Sequence, residues 1–164
     1  MLARKQFANR RDCRGIELVR RLRCSPVMNA LGARTKLMSQ HAEIRAQLER
    51  CTHLARSFRI GAATELELDA AISRLRLGFV DHNATETRLV GPLLREMSAR
   101  GSLLIDRMLE EHLAEHAELW DKLSGTGREV ASRIDDLAEE LEAHMAAEER
   151  TFLGALVARM EPHA

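Results

Sequence analysis

Histidine and glutamate recur in this chain at a spacing that lets them share a metal ion. His82 is followed by Glu86, His112 by His116 and His144 by Glu148, each pair at i, i+4, and His41 stands alone upstream. On an α-helix, side chains at that spacing lie about 40° apart around the axis and roughly 6 Å apart along it, so both can face one point and chelate. Imidazole suits iron, copper, zinc and nickel, whereas a carboxylate can bridge two ions and offset their charge. Three such pairs in successive segments, with a further histidine in the remaining one, describe a dinuclear site. His53, twelve residues beyond His41, and His163, after Pro162, fall outside the pattern and are expected to be solvated. No Ser, His and Asp arrangement, phosphate-binding Gly loop or nucleophilic Cys motif is present, so a hydrolase has no support.

The elements that must carry these groups are helical. A chain of 164 residues has room for one domain, and its 3% aromatic content, with no Tyr and with Leu, Ala, Glu and Arg dominant, is that of helices and not of sheets. Four long segments have helical periodicity. The first spans about Asn29 to Phe58, with Leu37, Ile44, Leu48 and Leu54 as its apolar stripe, and stops before Gly61. The second spans about Glu65 to Ala99, opened by a Thr64 and Glu67 capping box; Leu68, Ile72, Leu75, Phe79, Leu89 and Leu93 form its buried face, and Pro92 should kink it. The third spans about Ser102 to Leu123. The fourth opens on a second capping box, Thr126 with Glu129, and runs to about Met160.

Short connections make such helices pack antiparallel, which predicts an all-α, up-down-up-down four-helix bundle over residues 28–164. Ligands on four helices must then lie at one height. His41 lies about seventeen residues before the end of the first helix, and His82 about as far past the start of the second, so that hairpin is level. The second hairpin is looser. In the third, His112 and His116 precede the turn by about 7 to 11 residues, while His144 and Glu148 follow it by roughly 17 to 21. The fourth helix must therefore overhang its partner or begin later than its capping box.

Residues 1–27 form a basic leader. Within residues 1–23, eight basic side chains stand against Asp12 and Glu17, a balance of +6, although the whole chain has net charge zero. It lacks aromatic interleaving and a binding motif, so it is expected to be solvated and poorly ordered, with neither nucleic acid nor a membrane as partner. No apolar run approaches a membrane span, and the leader has no secretory h-region. Cys13, Cys24 and Cys51 are odd in number and form no CxxC pair, which fits reduced thiols in the cytoplasm.

These residues resemble the hemerythrin-like, or HHE cation-binding, family over about Lys36 to Met160. The matching text is Gln40-His-Ala-Glu-Ile-Arg, Asp81-His-Asn-Ala-Thr-Glu-Thr-Arg-Leu, His112-Leu-Ala-Glu-His-Ala-Glu-Leu and His144-Met-Ala-Ala-Glu-Glu-Arg-Thr-Phe, one motif for each helix. The resemblance implies two non-haem iron ions (Fe2+/Fe3+) ligated by His41, His82, His112, His116 and His144 and bridged by Glu86 and Glu148. Oxygen-carrying hemerythrins place an Asp five residues after the last histidine, where this chain has Glu149. Glu148, at i+4, is preferred, since i+5 lies about 140° around the helix. Helix three gives one ligand or two, with His116 the firmer of the pair. The implied function is binding of a small diatomic, O2 or NO, for sensing, storage or protection. The alternative is iron–sulfur cluster repair by iron donation, or peroxide reduction, at the same site.

Overall fold

The computed structural model describes residues 26–97 and 102–154, and every regular element among them is helical. The elements are α1 (Pro26–Arg59), α2 (Glu65–Met97), α3 (Ser102–Leu123), α4 (Gly127–Ser132) and α5 (Ile134–Arg150). Apart from Pro26 and Val27, the basic leader lies outside the described residues, as do Cys13, Cys24 and His163. Helix α1 begins earlier than the periodicity predicts, on Pro26, whose fixed φ and missing N–H suit a first helical turn.

Turn chemistry explains the boundaries. Gly61 takes φ 73°, and the amide of Ala62 donates to the Ser57 carbonyl at 2.8 Å, closing α1. The Thr64 amide donates to the Glu67 carboxylate at 2.8 Å while the Glu67 amide donates to Thr64 Oγ1, so the expected capping box opens α2. The helix then runs on through Pro92. The box of Thr126 and Glu129 is likewise formed, but it opens only the six-residue α4.

The fourth helix of the sequence reading is thus two helices. At Arg133 the backbone leaves helical geometry (φ −123°, ψ 13°). The Arg133 guanidinium donates to the carbonyls of Lys122 and Ser124, the latter at 2.7 Å, so this side chain is spent on the C-terminal end of α3. Arg76 does the same from α2, donating to the Leu123 and Gly125 carbonyls. Helix α4 turns aside to pack on α2 and α1, where the Gly127 amide donates to Asp69 Oδ1 at 2.8 Å. From Ile134, α5 reaches His144 after about 15 Å of helix, close to the roughly 16 Å from His112 to the end of α3. The height mismatch is therefore resolved by a later start for the helix that carries His144 and Glu148.

Two apolar clusters flank one polar layer. The larger gathers Ile44, Leu48, Cys51, Leu68, Ile72, Leu75, Phe79, Leu123, Ile134, Leu137, Leu141 and Met145 among others; the second contains Ala30, Leu37, Val90, Leu94, Phe152 and Leu153. Leu54, Leu89 and Leu93, expected on the buried stripe, are only half-buried. On α2 the inward line continues from His82 and Glu86 in steps of four, so Val90 and Leu94 take the core positions instead.

Candidate metal centre

Between those clusters lie His41, His82, Glu86, His112, His116, His144 and Glu148, all buried, from 0% exposed at His41 to 8% at His144. Ionisable and polar groups are seldom buried without compensation, so five histidines and two glutamates in one layer require an organising interaction. Their numbering runs in opposite senses across the seams: His82 faces His116 and Glu86 meets His112 between α2 and α3, while His116 meets His144 between α3 and α5. Across the first seam the His41 and His82 rings lie 4.9 Å apart.

Glu148 is the hub. Its Oε1 lies 2.7 Å from His144 Nε2, 3.2 Å from His112 Nε2 and 3.4 Å from His116 Nε2. Its Oε2 faces the other way, 2.9 Å from His41 Nε2 and 3.4 Å from His82 Nε2. Glu86 Oε2 lies 2.7 Å from His112 Nε2, 3.5 Å from His116 Nε2 and 3.8 Å from His82 Nε2. Two overlapping quartets follow, His112, His116, His144 and Glu148, and His82, Glu86, His116 and Glu148; within each, one donor atom per residue falls within 4.8 Å of all the others.

Hydrogen bonds alone do not satisfy this layer. His116 Nε2 and His144 Nε2 face each other at 2.8 Å, and His82 Nε2 is buried with no hydrogen-bond partner. Inward nitrogen lone pairs in a buried space, together with two carboxylates, fit a cation or a pair of cations. Burial would raise the Glu148 pKa, but His112, His116, His144 and His41 drive it far below the carboxylate range. Burial would lower His112, yet Glu148 and Glu86 push it up to about 9. At His116 burial prevails and the pKa falls, helped by the neighbouring His112 and His144.

The structure places all seven residues singled out in the sequence in one buried layer. Glu149 takes a different position from Glu148, accepting from His41 Nδ1 at 2.9 Å on the outer side of the ring. His53 is exposed, as expected. What the reading missed is the surrounding polar shell: Arg45 on Glu149, Glu115 within 3.3 Å of His144 Nδ1, and Gln40, whose amide donates to Asp81 at 2.6 Å and to buried Thr85 at 3.2 Å. Arg45 lies at i+4 from His41, a signal that could have found it.

Aromatic edges enclose the layer, Phe79 against His116 at 5.6 Å between centroids and Phe152 against His112 at 5.0 Å. A cavity of about 90 Å³ between α2 and α3, lined by Gly91, Leu109 and Leu113, reaches Glu86 and His112. A second, of about 190 Å³ between α3 and α5, reaches His112, His144 and Glu148. Among the described residues no helix is long and apolar enough to cross a membrane.

No curated protein and no solved structure matches this chain. The family model described as the hemerythrin HHE cation-binding domain matches residues 33–158, most of the sequence and every residue of the buried layer. With its motifs on successive helices and their donors gathered in one core, the chain belongs to the hemerythrin HHE cation-binding domain family.

Proposed function

We propose that this protein holds two non-haem iron ions and uses them to bind a small diatomic, O2 or NO, for sensing, storage or protection. The observation that carries the reading is Glu148, whose two oxygens divide five histidine nitrogens into two sets, as a carboxylate bridging two ions would. His112, His116 and His144 form one set; His41 and His82 form the other, and Glu86 lies against both. Both His112 and His116 are ligands in this reading, and Glu148, not Glu149, is the bridge. The topology is the antiparallel up-down-up-down bundle, supported by the opposed numbering across its seams.

When bound, the iron pair supplies the electrons and the open coordination position that a diatomic needs. The protein's own residues supply the rest. Phe79, Phe152 and Met145 limit water around the layer, and the cavity beside Glu86 and His112 suits a ligand of a few atoms better than a larger substrate. A reducing compartment such as the cytoplasm, where a thiol like Cys51 stays free, favours this chemistry. The test is the optical spectrum of anaerobically reduced, iron-loaded protein before and after O2 or NO. A new ligand-dependent charge-transfer band is expected; a spectrum indifferent to both gases would overturn the diatomic reading.

A further inference from the structure

The inner nitrogens of the five histidines converge, but their outer nitrogens are treated very differently. His82 Nδ1 and His116 Nδ1 are buried without a hydrogen-bond partner. His144 Nδ1 and His112 Nδ1 share one carboxylate, Glu115, at 3.3 and 3.9 Å, and that side chain is 64% exposed. His41 differs from all of them. Its Nδ1 lies 2.9 Å from Glu149 Oε1, the same oxygen accepts from Arg45 Nη1 at 2.9 Å, and Arg45 Nε donates to Glu142 at 2.9 Å. Glu149 is only 26% exposed, and the ring it holds is fully buried.

This chain of contacts has a direction. A carboxylate can only accept, so the Glu149 contact fixes a proton on the outer nitrogen, Nδ1; the inner nitrogen, Nε2, donates to Glu148 Oε2 in the metal-free chain, and it is that inner proton a metal ion would displace, leaving the Nε2 lone pair aimed inward. Arg45 stands one turn after His41 on α1 and Glu149 beside Glu148 on α5, so the contact also fixes how α1 sits against α5 at the height of the layer. Glu142, two turns before Glu149 on the same helix, keeps the guanidinium on that seam.

We infer that Glu149, anchored by Arg45, is a positioning residue for His41, and that this clamp makes the His41 and His82 half the more tightly held of two metal positions. The inference rests on the dinuclear reading of the layer. It gives Glu149 a role outside the ligand set and distinguishes the two ends of the centre by their outer partners as well as by their two and three inner histidine nitrogens. Outer partners of this kind set ring orientation and ligand basicity, and their loss weakens metal binding by about 10- to 100-fold.

The test uses the full chain with zinc as a diamagnetic probe and with ferrous iron. In wild type, the long-range nitrogen–proton spectrum should show His41 protonated on Nδ1, in both metal-free and zinc-loaded protein. Glu149→Ala should lose that signature and, in competition with a chelator, hold one of its two metals about 10- to 100-fold more weakly, with the metal-free helical content unchanged. Glu149→Gln keeps an oxygen that accepts from Nδ1 and should recover most of the affinity. Arg45→Ala should fall between them. Unchanged His41 signals and unchanged affinity in Glu149→Ala would overturn the clamp. So would loss of both metals in Glu149→Ala alongside their retention in Glu148→Ala, which would make Glu149 the bridge. If wild type takes up no metal, the dinuclear reading fails and the affinity claim with it, while the metal-free His41 spectrum still decides whether the contact orients the ring.

Discussion

The hairpin of α1 and α2 and the hairpin that leads from α3 to α5 reach the same buried layer of histidines and glutamates by different means. In the first, two long helices meet at a tight turn closed by Gly61, and counting residues from that turn brings His41 level with His82. In the second, equal counting fails, and the chain inserts α4 to take up the difference before α5 begins at Ile134. Metal ligands need placement within a fraction of an ångström, and rigid elements supply it best. The first hairpin obtains that placement from uninterrupted helices. The second obtains it from tertiary contacts: Arg133 and Arg76 on the end of α3, and Asp69 on the start of α4.

If that contrast holds, damage to the second hairpin should reach the metal layer, whereas equal damage to the first should not. Ile134 and Leu48 are both buried core residues, at 0% and 3% exposure. Ile134→Ala and Leu48→Ala should each lower unfolding free energy by about 2–5 kcal/mol. Only Ile134→Ala should also weaken metal binding, because it frees the first turn of α5. Equal loss of affinity in both, measured by chelator competition, would erase the distinction.

Arg133→Ala removes two hydrogen bonds to carbonyls at the end of α3 and should cost about 1–2 kcal/mol in denaturant unfolding. It should also lower metal affinity, as α4 and α5 are then free to join into one straight helix. A smaller effect, about 1 kcal/mol, is expected for Gly127→Ala, whose new Cβ would collide with the Asp69 carboxylate and lie 3.3 Å from the Asp69 Cα. Thermal unfolding of the metal-free protein would show it; no change would mean that α4 is not seated through Asp69.

The smallest expected effect is one of pH, and both hairpins should share it. Thr64 and Thr126, through their backbone amides first and their hydroxyls second, lower the carboxyl pKa of Glu67 and Glu129 from the ordinary 4.5. A depressed folded pKa contributes stability that is complete above the unfolded value and is lost as pH falls through the folded one. Metal-free protein should therefore lose a small increment of stability as pH drops below about 4.5, and Glu67→Ala and Glu129→Ala should each remove part of that slope. Parallel slopes in wild type and both variants would contradict the assignment.

The residues of the buried layer were legible because helical spacing is a local property: His82 with Glu86 needs no knowledge of the partner helices to be read as a candidate chelating pair. The same holds for the capping boxes, which are read over four residues. The break at Arg133 was not legible, since arginine is a good helix former and its guanidinium contact with the Lys122 and Ser124 carbonyls at the end of α3 is a tertiary one that no local spacing encodes. Val90 and Leu94 replaced Leu89 and Leu93 in the core for a related reason. Which apolar face turns inward beyond Glu86 depends on how α2 meets α1 and α3, and both faces carry leucine or valine. Glu115 and Arg45 were hidden in another way, as charged residues in helices rich in charge, where only the fold separates those that touch the layer or its partners from those that touch water; helical angle set Glu149 apart from Glu148 in the sequence, but not its contact with His41.

In the proposed centre Glu148 joins two metal positions. Metal analysis of protein loaded anaerobically with ferrous iron, for wild type beside Glu148→Ala, tests it directly. The account predicts two irons per chain in wild type and fewer than one in the variant; two irons retained without Glu148, or a single tightly held ion in wild type, would contradict it.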